Sequence, residues 1–271
     1  MTPAESEPLR DAWTPAQYGK FAAERAQPFW DLAALVERDR PIRRAVDLGC
    51  GPGELTAALV DELAITEMTG IDSSAAMLAE AAPHQRPGLR FEEGDIARWT
   101  SRGDLDLVFS NAALQWMPDH QGVVARWWAA LAPGGQLAVQ LPANGTHPSH
   151  RIAGEVAATE PFLTAFGGRP PQDTVTANVL DPVQYAILLD HLGAERQHVR
   201  LQVYGHTLAR SADVVEWVKG TALTRYERAL PAELYDDFVD EYRRRLLRAI
   251  GDTAPYFYPF RRILFWGRKP V

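Results

Sequence analysis

Between residues 44 and 141, short apolar runs alternate with stretches whose apolar positions recur every three or four residues. The runs at 44–48, 67–71, 89–93, 105–110 and 136–141 have the length and continuity of buried strands. The stretches at 54–63, 74–82 and 120–131 carry helical periodicity, and Pro133-Gly134-Gly135 predicts a turn before the fifth strand. Strands alternating with helices through short links indicate a parallel sheet covered on both faces, joined by right-handed crossovers. The expected fold class is α/β: a doubly wound, mostly parallel, Rossmann-like sheet.

The flanking sequence adds to this frame. Thr14 and Gln17 have capping-box spacing with Pro15 at the first helical position, which predicts a helix over 16–36. Beyond the alternating region, 148–163 reads as helix and the Gly- and Pro-rich 167–174 as loop. A helix from Asp181-Pro182 to about 192 ends at Gly193. Residues 196–206 alternate as a strand, 211–250 are mostly helical with a break near Leu230-Pro231, and 261–267 close as a strand. The expected organisation is a flexible tail at 1–13, a core domain at 14–206 and 259–271, and a helical cap inserted at 207–258 over one edge of the sheet.

Composition narrows the function classes. Of 271 residues, 46% are hydrophobic and 23% charged, the balance of an ordinary globular chain. No apolar run approaches the roughly 18–20 residues needed to span a bilayer. The first residues carry Glu5, Glu7 and Asp11 with no apolar signal-peptide core. The single cysteine, Cys50, excludes an internal disulfide and suits a reducing compartment, so a cytoplasmic protein with no membrane partner is expected. The net charge is −7, and the dense basic runs are Arg243-Arg244-Arg245, which reads as the solvated face of a helix, and Arg261-Arg262. Nucleic acid is therefore not an expected partner. An anionic small molecule could still bind, provided cations are placed locally. The sequence carries no signal for an oligomeric state.

The chemistry concentrates after the first strand, in Asp47-Leu48-Gly49-Cys50-Gly51-Pro52-Gly53. Glycines permit positive φ and a close ligand approach, and the following helix N-terminus offers unpaired N–H groups. A dinucleotide fold would carry its third glycine where this chain has Glu54, and a glutamate there opposes a pyrophosphate. The spacing instead suits a ligand with a carboxylate, an ammonium and no phosphate. Further candidates stand at successive strand ends: Asp72 with Ser73 and Met77, then Asp95-Ile96, then Asn111. Asp72 is placed to accept ribose hydroxyls, and Asp95-Ile96 to hold an adenine by its amino edge and face. Each acid taken alone reads more readily as a helix cap, and it is their succession on strand ends that favours the ligand reading.

These residues resemble the class I methyltransferases and, more narrowly, the trans-aconitate 2-methyltransferase family. The narrower likeness covers nearly the whole chain. It rests on Trp13-Thr14-Pro15-Ala16-Gln17-Tyr18, Glu24-Arg25 with Pro28, Val46 to Gly53, Gly70 to Ser74 and Gly94-Asp95-Ile96 with Trp99. It continues through Ser110-Asn111-Ala112-Ala113-Leu114-Gln115-Trp116, Leu137 to Pro142, Val215-Glu216-Trp217-Val218 and Pro259-Phe260-Arg261-Arg262. A similar Gln-Trp run occurs in carboxyl methyltransferases acting on a malonyl thioester, which stand as the alternative, followed by a non-catalytic cofactor-binding protein.

The resemblance implies S-adenosylmethionine as cofactor, held by Asp47, Gly49, Cys50, Gly51, Asp72, Ser73, Met77, Asp95, Ile96 and Asn111. It also implies methyl transfer to a carboxylate of an aconitate-like acid. That nucleophile is already ionised at neutral pH, so positioning suffices and no catalytic acid or base is assigned. The acceptor candidates are Tyr18, Arg25, Gln115, Trp116, His147, Trp217 and Arg262, with His150 and Tyr204 as further lining. Arginine suits carboxylates through its bidentate fork. Against these readings, Arg25 could pair with Asp31 or Glu24 on a helix surface, and Trp217 could be a core aromatic. His147 and His150 lack a third ligand at metal spacing, so no metal is expected.

Overall fold

A computed structural model describes residues 22–271, with side chains from residue 26 onward. Helix α1 (Ala22–Ala33) leads into β1 (Arg44–Leu48), α2 (Glu54–Leu63), β2 (Glu67–Asp72), α3 (Ala75–Ala81), β3 (Leu89–Glu93) and β4 (Leu105–Asn111). Then follow α4 (His120–Ala129), β5 (Leu131–Pro142), α5 (Pro148–Ala157), α6 (Phe162–Ala165), α7 (Thr174–Asn178) and α8 (Pro182–His191). The chain closes with β6 (Arg196–Leu208), α9 (Asp213–Lys219), α10 (Thr224–Ala229), α11 (Ala232–Ile250) and β7 (Tyr256–Arg268).

The described residues form one seven-stranded sheet in the order β3-β2-β1-β4-β5-β7-β6. β1 to β5 run parallel, and β7 inserts antiparallel between β5 and β6. Strand order reverses between β1 and β4, and open sheets of this kind collect ligands beyond the strand ends at such a point. The period-two alternation of strand side chains divides the core. Ala45, Leu107 and Phe109 face α1 and α2 with Phe29, Leu32 and Leu59, whereas Val46, Leu48 and Val108 face α4 and α8 with Val123, Trp127, Tyr185 and Leu189. A third cluster joins α5 to α9, α10 and α11 and takes in Leu208, Tyr258 and Phe260 from the outer ends of β6 and β7.

Several expectations shift in position. The predicted Pro133-Gly134-Gly135 turn lies inside β5 as a bulge, where pairing steps from Leu105↔Leu131 to Leu107↔Gln136. Extra residues on one strand of a pair loop out while the ladder resumes beyond them. The final strand starts at Tyr256 and not near 261, because Tyr256 to Pro259 pair with Leu208 back to Gly205. The 211–250 stretch is three helices, with a second break between Lys219 and Thr224. The 148–163 helix stops at Ala157. A short helix at 174–178 was not expected; Asp173 caps it by accepting the Val175 N–H. The tail and the capping pair Thr14 and Gln17 lie outside the described residues. Among the described residues no helix is long and apolar enough to cross a membrane.

Candidate active site

The loop from β1 to α2 is fixed by its neighbour strand. The Gly49 and Cys50 N–H groups both donate to the Ile71 carbonyl, at 2.7 and 3.1 Å, and the Gly51 N–H donates to Asp72 Oδ2 at 2.8 Å. Gly49 has φ +85° and Gly51 φ +57°, in the left-handed region that favours glycine. They are glycines for different reasons. A Cβ on Gly49 would stand 2.3 Å from the Ala113 Cβ, whereas one on Gly51 would meet nothing within 4 Å. Gly51 therefore presents bare backbone to open space.

Two carboxylates frame that space. Asp47 is buried; Thr56 Oγ1 donates to its Oδ2 at 2.6 Å, while Oδ1 has no hydrogen-bond partner among the described residues. Burial pushes its pKa from 3.8 to about 7, with nearby Asp72 adding to the rise and the Thr56 hydroxyl opposing it. Asp72 at the end of β2 accepts from Gly51 and, through Oδ1, from the Ser74 N–H at 2.9 Å. Ser74 caps α3 by accepting the Met77 N–H at 3.2 Å. Met77 is buried there and Ser73 is exposed beside it. Cys50 is buried, and burial followed by the charges of Asp47 and Asp72 raises its thiol pKa well above the ordinary value. It is an inert packing group.

Asp95 is exposed and accepts the Ala97 N–H at 2.9 Å, closing a turn over 96–98; no helix starts there, so it is not a helix cap. Ile96 is buried, its carbonyl bonded by the Trp127 indole at 3.0 Å. Asn111 ends β4 with a buried Oδ1 that has no hydrogen-bond partner among the described residues. Ala112 follows with φ +55°, a strained value for a residue bearing a Cβ, and its N–H donates to the Gln140 carbonyl at 2.8 Å.

From Asn111 and Ala112 one cavity runs beneath the late helices. Its walls include Trp116, the paired strand residues Pro142 and Arg262, His150 on α5, Asp173 at the start of α7, and Trp217 and Arg225 from α9 and α10. Gln115 also lines it; its amide donates to the Ala112 carbonyl at 2.7 Å, which stabilises the strained turn. Arg262 is buried on β7, donates to Gln140 Oε1 at 3.3 Å and stacks over Phe260 at 4.9 Å. Trp217 packs as a core aromatic against His206, Tyr258 and Phe260 and also lines the cavity.

Other acceptor candidates lie elsewhere. His147 is the N-cap of α5, its Nδ1 accepting the Ser149 N–H at 3.1 Å, and it does not line the cavity. Burial, with His150 nearby, depresses its pKa to about 4, so the ring is neutral at physiological pH. Its neighbour His150 lines the cavity instead. Tyr204 donates to Asp31 Oδ2 at 2.8 Å, where Gln202 also donates, and does not line the cavity. Tyr18 lies outside the described residues, as does the side chain of Arg25. Asp173 and Arg225 were missed: the first stood in a Gly- and Pro-rich loop and the second in an ordinary-looking charged helix. No sequence signal separates Arg225 from a solvated arginine. Among the described residues no three His, Cys, Asp or Glu side chains cluster as a metal site would require.

Comparison with known proteins agrees with this layout. Residues 45–135 match the family model of a methyltransferase domain. The chain is 44% identical over 260 residues to the trans-aconitate 2-methyltransferase of Deinococcus radiodurans, covering 95% of this chain and 98% of that one. It is 41% identical over 238 residues to the enzyme of the same name from Variovorax paradoxus, covering 88% and 90%. Among solved structures, the YcgJ protein from Bacillus subtilis superposes with TM-score 0.57 at 12% identity, covering 91% of this chain and 99% of that one. Phosphoethanolamine N-methyltransferase 2 of Haemonchus contortus, in complex with S-adenosyl-L-methionine, superposes with TM-score 0.55 at 18% identity. There the overlap covers 91% of this chain, which spans 53% of the larger protein. At such low identity both likenesses concern the fold.

Proposed function

The chain belongs to the trans-aconitate 2-methyltransferase family, and from that premise we propose that it transfers a methyl group from S-adenosylmethionine to a carboxylate of trans-aconitate or a similar small polycarboxylic acid. The observation that carries this reading is the single cavity joining Asn111 and Ala112, beside the glycine loop, to the buried Arg262.

The donor set fits S-adenosylmethionine. Bare backbone at Gly51 gives space for the ligand. The unpartnered Asp47 Oδ1 is an acceptor for an ammonium, Asp72 for ribose hydroxyls, and Asn111 Oδ1 for a further donor. Ile96 and Met77 supply apolar surface for the adenine face. When bound, the cofactor supplies a methyl group made electrophilic by its sulfonium. The protein's own part is to hold an ionised carboxylate in line with that methyl and keep water out. The residues for this are Trp116 and Trp217 as walls and Arg262 as anchor. Each close charge pair contributes about 4 kcal/mol before desolvation at an effective dielectric near 20. Positioning of this quality accounts for a large rate gain without a general base.

Incubation with labelled S-adenosylmethionine and trans-aconitate is expected to give a base-labile methyl ester. No product beside an active control would end this reading.

Asp47 provides a second check. Its folded pKa, about 7, exceeds the 3.8 of the free carboxyl, so the folded state holds the proton more tightly. Stability of the cofactor-free protein is therefore expected to be full below about pH 4 in respect of this group, and to decline as pH rises towards 7. Asp47→Asn removes that decline. An ammonium placed beside Oδ1 lowers the pKa again, so cofactor binding at pH 6.5 releases a proton and binding at pH 8.5 does not. Calorimetry in buffers of differing ionisation enthalpy reads this directly; equal proton release at both pH values rules out the assignment.

A further inference from the structure

Arg225 is a cation of the cavity wall whose guanidinium is only partly satisfied. Its side chain is 16% exposed, and its Nε–H is buried with no hydrogen-bond partner among the described residues. The only carboxylate near it among them is Asp173, at 3.5 Å from Nη1, which is beyond a good hydrogen bond. Asp173 is already engaged. Its Oδ2 lies 2.6 Å from His150 Nδ1 and its Oδ1 accepts the Val175 N–H at 3.0 Å. The guanidinium is nevertheless held in place, because Nη2 donates to the Tyr226 hydroxyl at 3.0 Å and Cζ lies 4.5 Å over the Tyr226 ring. A half-buried arginine that lines a cavity, with its plane fixed and one N–H unpaired, is a preformed half of a carboxylate clamp.

Resting on the acceptor reading above, we propose that Arg225 binds a carboxylate of the acceptor that is not methylated, and so selects tricarboxylates over dicarboxylates. The count of charges supports this selection. Arg225 and Arg262 line the same cavity from different elements, and Asp173 is the one acidic side chain beside them in its lining. Two arginine anchors call for two carboxylates that stay ionised through turnover. A tricarboxylate keeps two while its third is esterified, whereas a dicarboxylate leaves one anchor empty. Asp173, itself held by His150, positions Arg225 from beside it in the same cavity wall and touches no reacting atom in this scheme.

The test is steady-state kinetics at saturating S-adenosylmethionine with trans-aconitate and its three dicarboxylate truncations, mesaconate, itaconate and glutaconate. In the unmodified protein, kcat/KM is expected to be highest for trans-aconitate. Arg225→Gln is expected to raise the KM for trans-aconitate about tenfold with kcat within about twofold, the size of one charge-assisted contact. The truncation that lacks the anchored carboxylate should lose less than about twofold. Arg225→Lys, which keeps the charge and the bulk, should recover part of the loss. The dissociation constant for S-adenosylmethionine should stay the same in both variants. An equal loss on all four acids, or a loss confined to kcat, overturns the proposal and leaves Arg225 a structural residue. Turnover of none of the four acids by the unmodified protein would defeat the acceptor reading itself, an outcome distinct from a failure of Arg225 alone.

Discussion

Asp72→Ala is expected to weaken S-adenosylmethionine binding by about a hundredfold or more. The side chain acts in two ways. It accepts the Gly51 and Ser74 N–H groups at 2.8 and 2.9 Å, which ties the glycine loop to the start of α3. It also stands at the end of β2 where ribose hydroxyls would donate. A hydrogen bond to a charged group is worth about 1.5–3 kcal/mol, so losing the ribose contacts alone removes roughly 3 kcal/mol, or two decades of affinity. The two roles separate experimentally. Asp72→Asn retains an acceptor oxygen but no charge, and should fall between the parent and the alanine variant in calorimetry. If affinity is unchanged while thermal stability drops, Asp72 is a loop strut and the ribose assignment is wrong.

The half of the site near Asp72 was legible in the sequence because its determinants are local. A glycine loop between a strand and a helix, and acids at the next strand ends, are set by a few neighbouring residues and by a sheet whose alternation is plain. The helix at 54–63 and the strand at 89–93 carry their ends in their own turn residues, and the structure places both at those positions. The acceptor half is a different kind of object. Pro142, His150, Asp173, Trp217, Arg225 and Arg262 come from six elements or loops and meet only once the late helices fold onto β6 and β7. His147 and His150 show the limit well. Both follow β5, three residues apart, but the geometry of the α5 N-terminus turns the first into a cap and the second into the cavity wall. Sequence proximity to a strand end located the region and could not resolve which ring would point inward.

The same locality explains how a chain of net charge −7 accommodates a polyanion. Arg44, Arg86 and Arg268 are paired with Asp104, Asp61 and Glu37. Arg225 and Arg262 both line a cavity whose lining holds one carboxylate, Asp173, itself 3.5 Å from Arg225, so the local balance is positive while the whole is acidic. Field at a binding site depends on the nearest charges in low dielectric, and net charge contributes little beyond a Debye length of roughly 8–10 Å.

Gly49→Ala is expected to lower stability by about 3 kcal/mol or more and to abolish measurable cofactor binding. Two penalties coincide at this position. An L-residue held at φ +85° costs on the order of 1–3 kcal/mol, and the added methyl would stand 2.3 Å from the Ala113 Cβ. Ala113 has little room to retreat, since it is buried beside the strained Ala112 and the Leu114–Trp116 turn. The loop would have to shift instead, lengthening the 2.7 Å bond from the Gly49 N–H to Ile71. For a chain of this size the loss corresponds to a melting temperature lower by roughly 6–12 °C. Gly51→Ala is the informative contrast. Its Cβ meets no protein atom within 4 Å, so its effect on melting is limited to backbone strain of about 1 kcal/mol. If the open space beside Gly51 is where S-adenosylmethionine lies, that small methyl should still lower cofactor affinity by about tenfold or more. A Gly51→Ala variant that binds the cofactor as tightly as the parent would move the ligand away from the loop, whatever the effect at Gly49.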